Sequence, residues 1–151
     1  METKIAHPTA SWTIDGWAQF WAAPTVEIAS KRVPFVCSPT VLGYWPRQPE
    51  PVRGVAHYCQ HIVDLLTMIP DAHLKLEEHA TNGEFVFVRW SGFGTGPDGA
   101  FEMTGVDRIW LRDGKVIENR IMSDGSIFEC FATYVGERRL RRGAIGSVTA
   151  A

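Results

Sequence analysis

Two charged residues stand inside otherwise apolar, alternating stretches, and both are types that carry polar chemistry. Arg89 lies in residues 84–94 (EFVFVRWSGFG) and Asp107 in residues 100–112 (AFEMTGVDRIWLR). Side chains of a strand alternate between its faces, which groups Phe87, Arg89, Ser91 and Phe93 on one face. The same rule groups Met103, Gly105, Asp107 and Ile109. With TGPDG as the hairpin loop, residues 89 and 105 stand opposite, so Arg89 and Asp107 become diagonal neighbours within reach of each other. A carboxylate so placed can act as a base or an anchor, and a guanidinium as its partner or as a stabiliser of an oxyanion. An adjacent arginine lowers a carboxyl pKa by ~1–3 units while burial raises it by up to ~3–5, so the protonation state stays open. The pair reads equally well as a structural tie between two strands.

Two further polar candidates are Tyr44, in TVLGYW, and Asn119, in residues 115–123 (KVIENRIMS). A phenol or an amide can donate to a carbonyl or enolate oxygen. GYW also reads as an aromatic corner of the core. The direction of Asn119 depends on the turn at Asp113-Gly114. A two-residue turn puts Arg120 opposite Asp107, whereas a three-residue turn with a bulge brings Asn119, Ile121 and Ser123 inward. The second register leaves Glu118 and Arg120 to solvent and is adopted. Trp17, Trp21, Tyr58 and Ile62 join Phe87, Ser91, Met103, Ile109 and Ile121 as candidate ligand contacts.

Other chemistries find less support. His57 and His61 are spaced to chelate a metal, but His57, Gln60, His61 and Asp64 form the polar side of an amphipathic helix, which reads as a solvated face. His73, Glu77 and His79 also read as exposed, with Glu78 at a pocket lip. No zinc-type cluster, GxGxxG or GxxxxGK[ST] is present, so neither metal nor cofactor is expected. Lys and Arg number 15 and Asp and Glu 17, which leaves no basic field for a nucleic acid. The three cysteines lack CxxC spacing and fit a reduced cytoplasm. No stretch has the length of a signal peptide's apolar region or of a membrane span.

The elements that must position these residues follow from periodicity. Residues 11–22 carry Trp17, Phe20 and Trp21 at helical spacing, with Ser11 as a possible N-cap. PTVEIASKRVPF predicts a shorter helix ending near Pro34. TVLGYW predicts a strand, RQPEPVRG a loop, and residues 53–69 a helix stopped by Pro70. The period then changes to two over residues 73–81, 84–94, 100–112 and 115–123, which predicts an antiparallel meander. Asp124 can cap a last helix through SIFECFATYV. At 151 residues and 45% hydrophobic content the chain suits one domain, taken as 1–137, with 138–151 as a disordered tail. Helices first and a meander last give an α+β class without a parallel nucleotide-binding sheet.

GYWP, PVRG at the start of a helix, PD after it, then FVRW, TGVDR and DGKVIEN are similar to the SnoaL-like, polyketide cyclase-like branch of the NTF2-like superfamily. The resemblance spans about residues 12–130 and implies a cone: a curved antiparallel sheet packed on N-terminal helices around an apolar pocket, usually in a homodimer. It also favours the bulged register of the last hairpin. Members include cyclases, epoxide hydrolases, dehydratases, isomerases and proteins without catalysis. The aspartate that cyclases and limonene-epoxide-type hydrolases use falls at Ile121 here, the second hydrolase aspartate at Ser91, and the cyclase histidine at Asp107. What the resemblance and residues together imply is a cofactor-independent enzyme of the lyase or isomerase class. It would act by acid/base chemistry on a small cyclic or polyketide-like molecule, with Asp107, Arg89, Tyr44 and Asn119 as its catalytic set. A non-catalytic binding or accessory subunit and an epoxide-type hydrolase are the alternatives.

Overall fold

The computed structural model describes residues 11–149. Readings that fall on residues 1–10, including the lack of a leader there, and on residues 150–151 lie outside the described residues. Helix α1 (Ile14–Ala22) starts where Thr13 caps it, its hydroxyl accepting from the Gly16 amide at 3.0 Å. Thr25 caps α2 (Val26–Val36) in the same way through the Ile28 amide. Both caps lie a residue or more inside the predicted starts, because a threonine oxygen facing the first turn sets the boundary. Pro34 is taken into α2, which ends two residues later.

Strand β1 (Cys37–Tyr44) leads into a two-residue strand, β2 (Val52–Arg53), where a loop is expected. Helix α3 (Val55–Met68) buries Tyr58, Ile62 and Leu66 on one stripe. Strands β3 (His73–Asn82), β4 (Phe85–Gly96), β5 (Gly99–Arg112) and β6 (Lys115–Met122) form the predicted meander. The six strands make one sheet in the order β2-β1-β6-β5-β4-β3. β1 lies parallel to β6, so the curved sheet is mixed rather than wholly antiparallel.

Helix α4 runs from Ile127 to Thr149 and stays helical where a tail beyond residue 137 is expected. Arg138 and Arg142 reach Asp64 of α3 at 3.5 and 3.4 Å and tie that extension down. The core joins Trp17, Phe20, Val33 and Ile62 from the helices to Val86, Val88, Trp90 and Ile109 from the sheet. Phe128, Phe131 and Val135 of α4 complete it. Among the described residues no helix is long and apolar enough to cross a membrane.

Candidate functional site

The faces of β4 decide the site. Val86, Val88 and Trp90 are buried, while Arg89 is exposed. The β4–β5 hairpin turns on Pro97 and Asp98, with Gly96 opposite Gly99. Val88 therefore faces Asp107, and Arg89 faces Val106. The expected pairing of residues 89 and 105 is off by one residue, and one residue exchanges the faces. Arg89 bonds Glu78 on the outer face at 2.9 Å, and Ser91 donates to Glu77 beside it at 3.0 Å. Neither Arg89, Ser91 nor Phe87 contributes to the cavity. Among the described residues Asp107 has no arginine partner.

On β5 the predicted inward set is found: Gly105, Asp107 and Ile109 are buried, with Met103 half-buried. Asp107 is 5% exposed and holds two N–H donors of other strands. The Trp90 indole donates to Oδ1 at 2.9 Å, and the Asn119 amide donates to Oδ2 at 3.2 Å. Gly105 makes the first of these contacts possible, since the Trp90 ring lies where a β-carbon at 105 would stand. Burial pushes the Asp107 carboxyl up to about 6, against the two donors that favour the anion.

Asn119 reaches Asp107 by a variant of the expected hairpin. Asp113 and Gly114 both have positive φ and form a two-residue turn, with Arg112 opposite Lys115. The extra residue enters further up, between the Leu111–Val116 and Trp110–Glu118 pairs. Asn119 and Ile121 thereby face inward, and Ile121 stands opposite Asp107. Ser123 instead donates to the Thr104 carbonyl, away from the cavity. The Asn119 amide also donates to the Tyr58 hydroxyl of α3 at 3.1 Å. Burial raises the Tyr58 pKa, which keeps its phenol neutral. Among the described residues the buried Asn119 Oδ1 atom has no hydrogen-bond partner.

Asp107, Asn119 and Tyr58 line a cavity of about 100 Å³ whose other walls are mostly apolar and aromatic. Trp17, Trp21, Tyr58, Ile62, Met103, Ile109 and Ile121 are among its lining residues. Tyr44 is not: Val41, Gly43 and Trp45 are the buried residues of that stretch. Tyr44 faces outward beneath the Arg120 guanidinium, 3.9 Å from its ring centre. The phenol of the site is Tyr58 instead.

Wall residues the sequence reading missed are Trp45, Trp90, Arg32, His73, Phe128 and Phe131. The Val86, Val88, Trp90 alternation carried the signal for Trp90; for α4 no local signal exists. The polar stripe of α3 is also not wholly solvated. His61 and Asp64 are each 4% exposed, because α4 covers them. The His61 ring packs between Trp45 and Phe131, and burial lowers its pKa to about 4. Among the described residues no three His, Cys, Asp or Glu side chains are grouped to hold a metal ion.

A search of curated proteins gives no match. Solved structures give many. A proposed SnoaL-like polyketide cyclase from Jannaschia sp. CCS1 is 16% identical with a TM-score of 0.61, over 82% of this chain and 91% of that one. Wild-type IdmH from Streptomyces antibioticus, a proposed polyketide cyclase, is 20% identical with a TM-score of 0.62, over 80% and 95%. An NTF2-like protein of unknown function from Exiguobacterium sp. 255-15 is 19% identical with a TM-score of 0.63, over 75% and 98%. Likeness at such identities establishes the NTF2-like α+β cone and leaves function open. A family model described as the SnoaL-like domain matches residues 14–119, from the start of α1 to the asparagine beside Asp107, and the chain belongs to that family.

Proposed function

We propose that the protein is a cofactor-independent enzyme in which Asp107 removes a proton next to a carbonyl of a small apolar, ring-bearing or polyketide-like molecule. Cyclisation, isomerisation or dehydration would follow. The observation that carries this reading is one carboxyl, buried at the wall of an apolar aromatic cavity and held by two N–H donors. A pKa near 6 makes Asp107 an anion at neutral pH and a stronger base than an ordinary aspartate. The proton passes to the carboxylate, and charge develops on the ligand's carbonyl oxygen. Tyr58 accepts from Asn119 and keeps its own O–H to donate to that oxygen. With Tyr44 on the outer face, the hydrolase alternative loses the phenol that would hold its water.

Hydrogen–deuterium exchange tests the step without knowledge of the product. In D2O, the wild type is expected to accelerate loss of the α-protons of cyclohexanone or acetophenone, read by proton NMR. The rate should climb with pH to a plateau above about 6. Asp107→Asn should lower the acceleration by a factor of about 10² or more. Full exchange in Asp107→Asn would sink the assignment.

One observation favours a second reading, ligand binding without turnover. Both Asp107 oxygens already hold protein donors, and Ile121 stands opposite where the family enzymes use an aspartate. A wild type no faster than buffer, with bound ligand recovered unchanged, would select it. A homodimer in a reduced cytoplasm, without nucleic-acid or membrane partners, belongs to either reading, and light scattering tests the dimer.

A further inference from the structure

Arg32 is half-buried on α2 and forms part of the cavity wall, together with Trp12, Trp21 and Val36. Its guanidinium lies against Gly16 of α1 so closely that a β-carbon at 16 would overlap Nη2. Glycine inside a helix costs about 1 kcal/mol relative to alanine, so this contact is kept at a local expense. The other half-buried arginines of known side-chain placement all have partners: Arg108 pairs with Glu118, Arg138 with Asp64, and Arg120 lies over the Tyr44 ring. Among the described residues no carboxylate comes within ion-pair distance of Arg32. Asp15, the neighbour of Gly16, is exposed and makes no such pair. Arg32 packs on Gly16 of α1, whereas Asp107 is held by Trp90 and Asn119. The two charges therefore belong to different parts of one cavity.

A guanidinium on an apolar cavity wall without a carboxylate partner is free to meet an anion, and its planar fork matches a carboxylate in two hydrogen bonds. We propose that Arg32 is an anion-recognition residue of the cavity, and that the ligand is a single-ring molecule bearing a carboxylate at the end remote from Asp107. The proposal rests on the cavity as a ligand site and deepens the functional reading by naming the charge its ligand carries. A ligand held at both ends would present its carbonyl to Asp107 and Tyr58 in one orientation only.

The test needs no turnover. The probes are 3-phenylpropionate and 3-phenylpropanamide, which share a ring and a shape and differ in charge, with binding read by calorimetry. The wild type is expected to bind the carboxylate about tenfold more tightly than the amide, the size of one partly shielded charge-assisted pair. Arg32→Gln should erase that preference, bringing the affinity for the carboxylate to within about twofold of that for the amide. Gly16→Ala retains the charge and a good helix former while displacing the guanidinium, and it should reduce the preference. Equal binding of both probes by the wild type, binding of neither, or an intact preference in Arg32→Gln would each overturn the proposal. Full proton exchange in Asp107→Asn with the preference intact would be failure of the Asp107 reading alone, and loss of that exchange with equal binding of the two probes would be failure of the Arg32 proposal alone.

Discussion

Asp107 shows how one buried group links chemistry to stability. Its carboxyl is raised from 3.8 to about 6 in the folded chain, with burial as the main cause. Between these values the folded state holds a proton that the unfolded state has released, so stability falls as pH rises through that window. Below about pH 4 both states are protonated and the penalty is absent. Above about pH 6 it is fully present, at about 3 kcal/mol from 1.36 kcal/mol per unit. Asparagine cannot ionise, and its amide has an acceptor waiting in the unpartnered Oδ1 of Asn119 once that side chain turns over. Asp107→Asn is therefore expected to be more stable than the wild type at pH 8, by up to about 3 kcal/mol, and nearly equal to it at pH 4. Urea unfolding at the two pH values measures this. A variant that is weaker at pH 8 would mean that the two donors outweigh burial.

Among the elements, β5 was legible and β4 was not, for one physical reason. On β5 the inward positions include Gly105 and Asp107 among larger neighbours, and the alternation admits one assignment. On β4 both faces are apolar: Phe87 and Phe93 compete with Val86, Val88 and Trp90, and a one-residue error at the 96–99 turn decides between them. The site acid survived that error, but its partner changed from an arginine to an indole. The contact between α3 and α4 was illegible from periodicity, since Asp64 and Arg142 are 78 residues apart. That contact makes an asymmetric prediction. The Asp64 side chain is 5% exposed, whereas those of Arg138 and Arg142 are 36% and 50% exposed. Removing both arginines leaves a buried carboxylate with, among the described residues, only Gln60, at 2.9 Å, as a donor. Asp64→Asn leaves two arginines that water can reach. The Arg138→Ala, Arg142→Ala double variant should cost about 3 kcal/mol and Asp64→Asn about 1, read from urea midpoints. Equal costs would show that α4 is held by its apolar face alone.

For the whole molecule, the order of helices and meander and the GYWP to DGKVIEN resemblance were enough to read the cone, because both are local in sequence. The space the cone encloses was readable only in outline, because it depends on which aromatic rings turn toward one another across distant elements. Trp17, Trp45, Trp90 and Phe131 meet around a void rather than filling it. A cavity of about 100 Å³ between rings that could otherwise pack together is the space a ligand would fill. Ile121 offers a way to test this, being half-buried, on the cavity wall and opposite Asp107. Ile121→Trp puts an indole into the void without removing any polar group of the site. If the void is ligand space, the variant should keep its urea midpoint within about 1 kcal/mol of the wild type, or raise it, while losing both amide-probe binding and α-proton exchange. Overpacking of a solid interior would instead cost about 1–3 kcal/mol. A destabilised variant that still binds the probe would place the ligand elsewhere and leave Asp107 a structural acid.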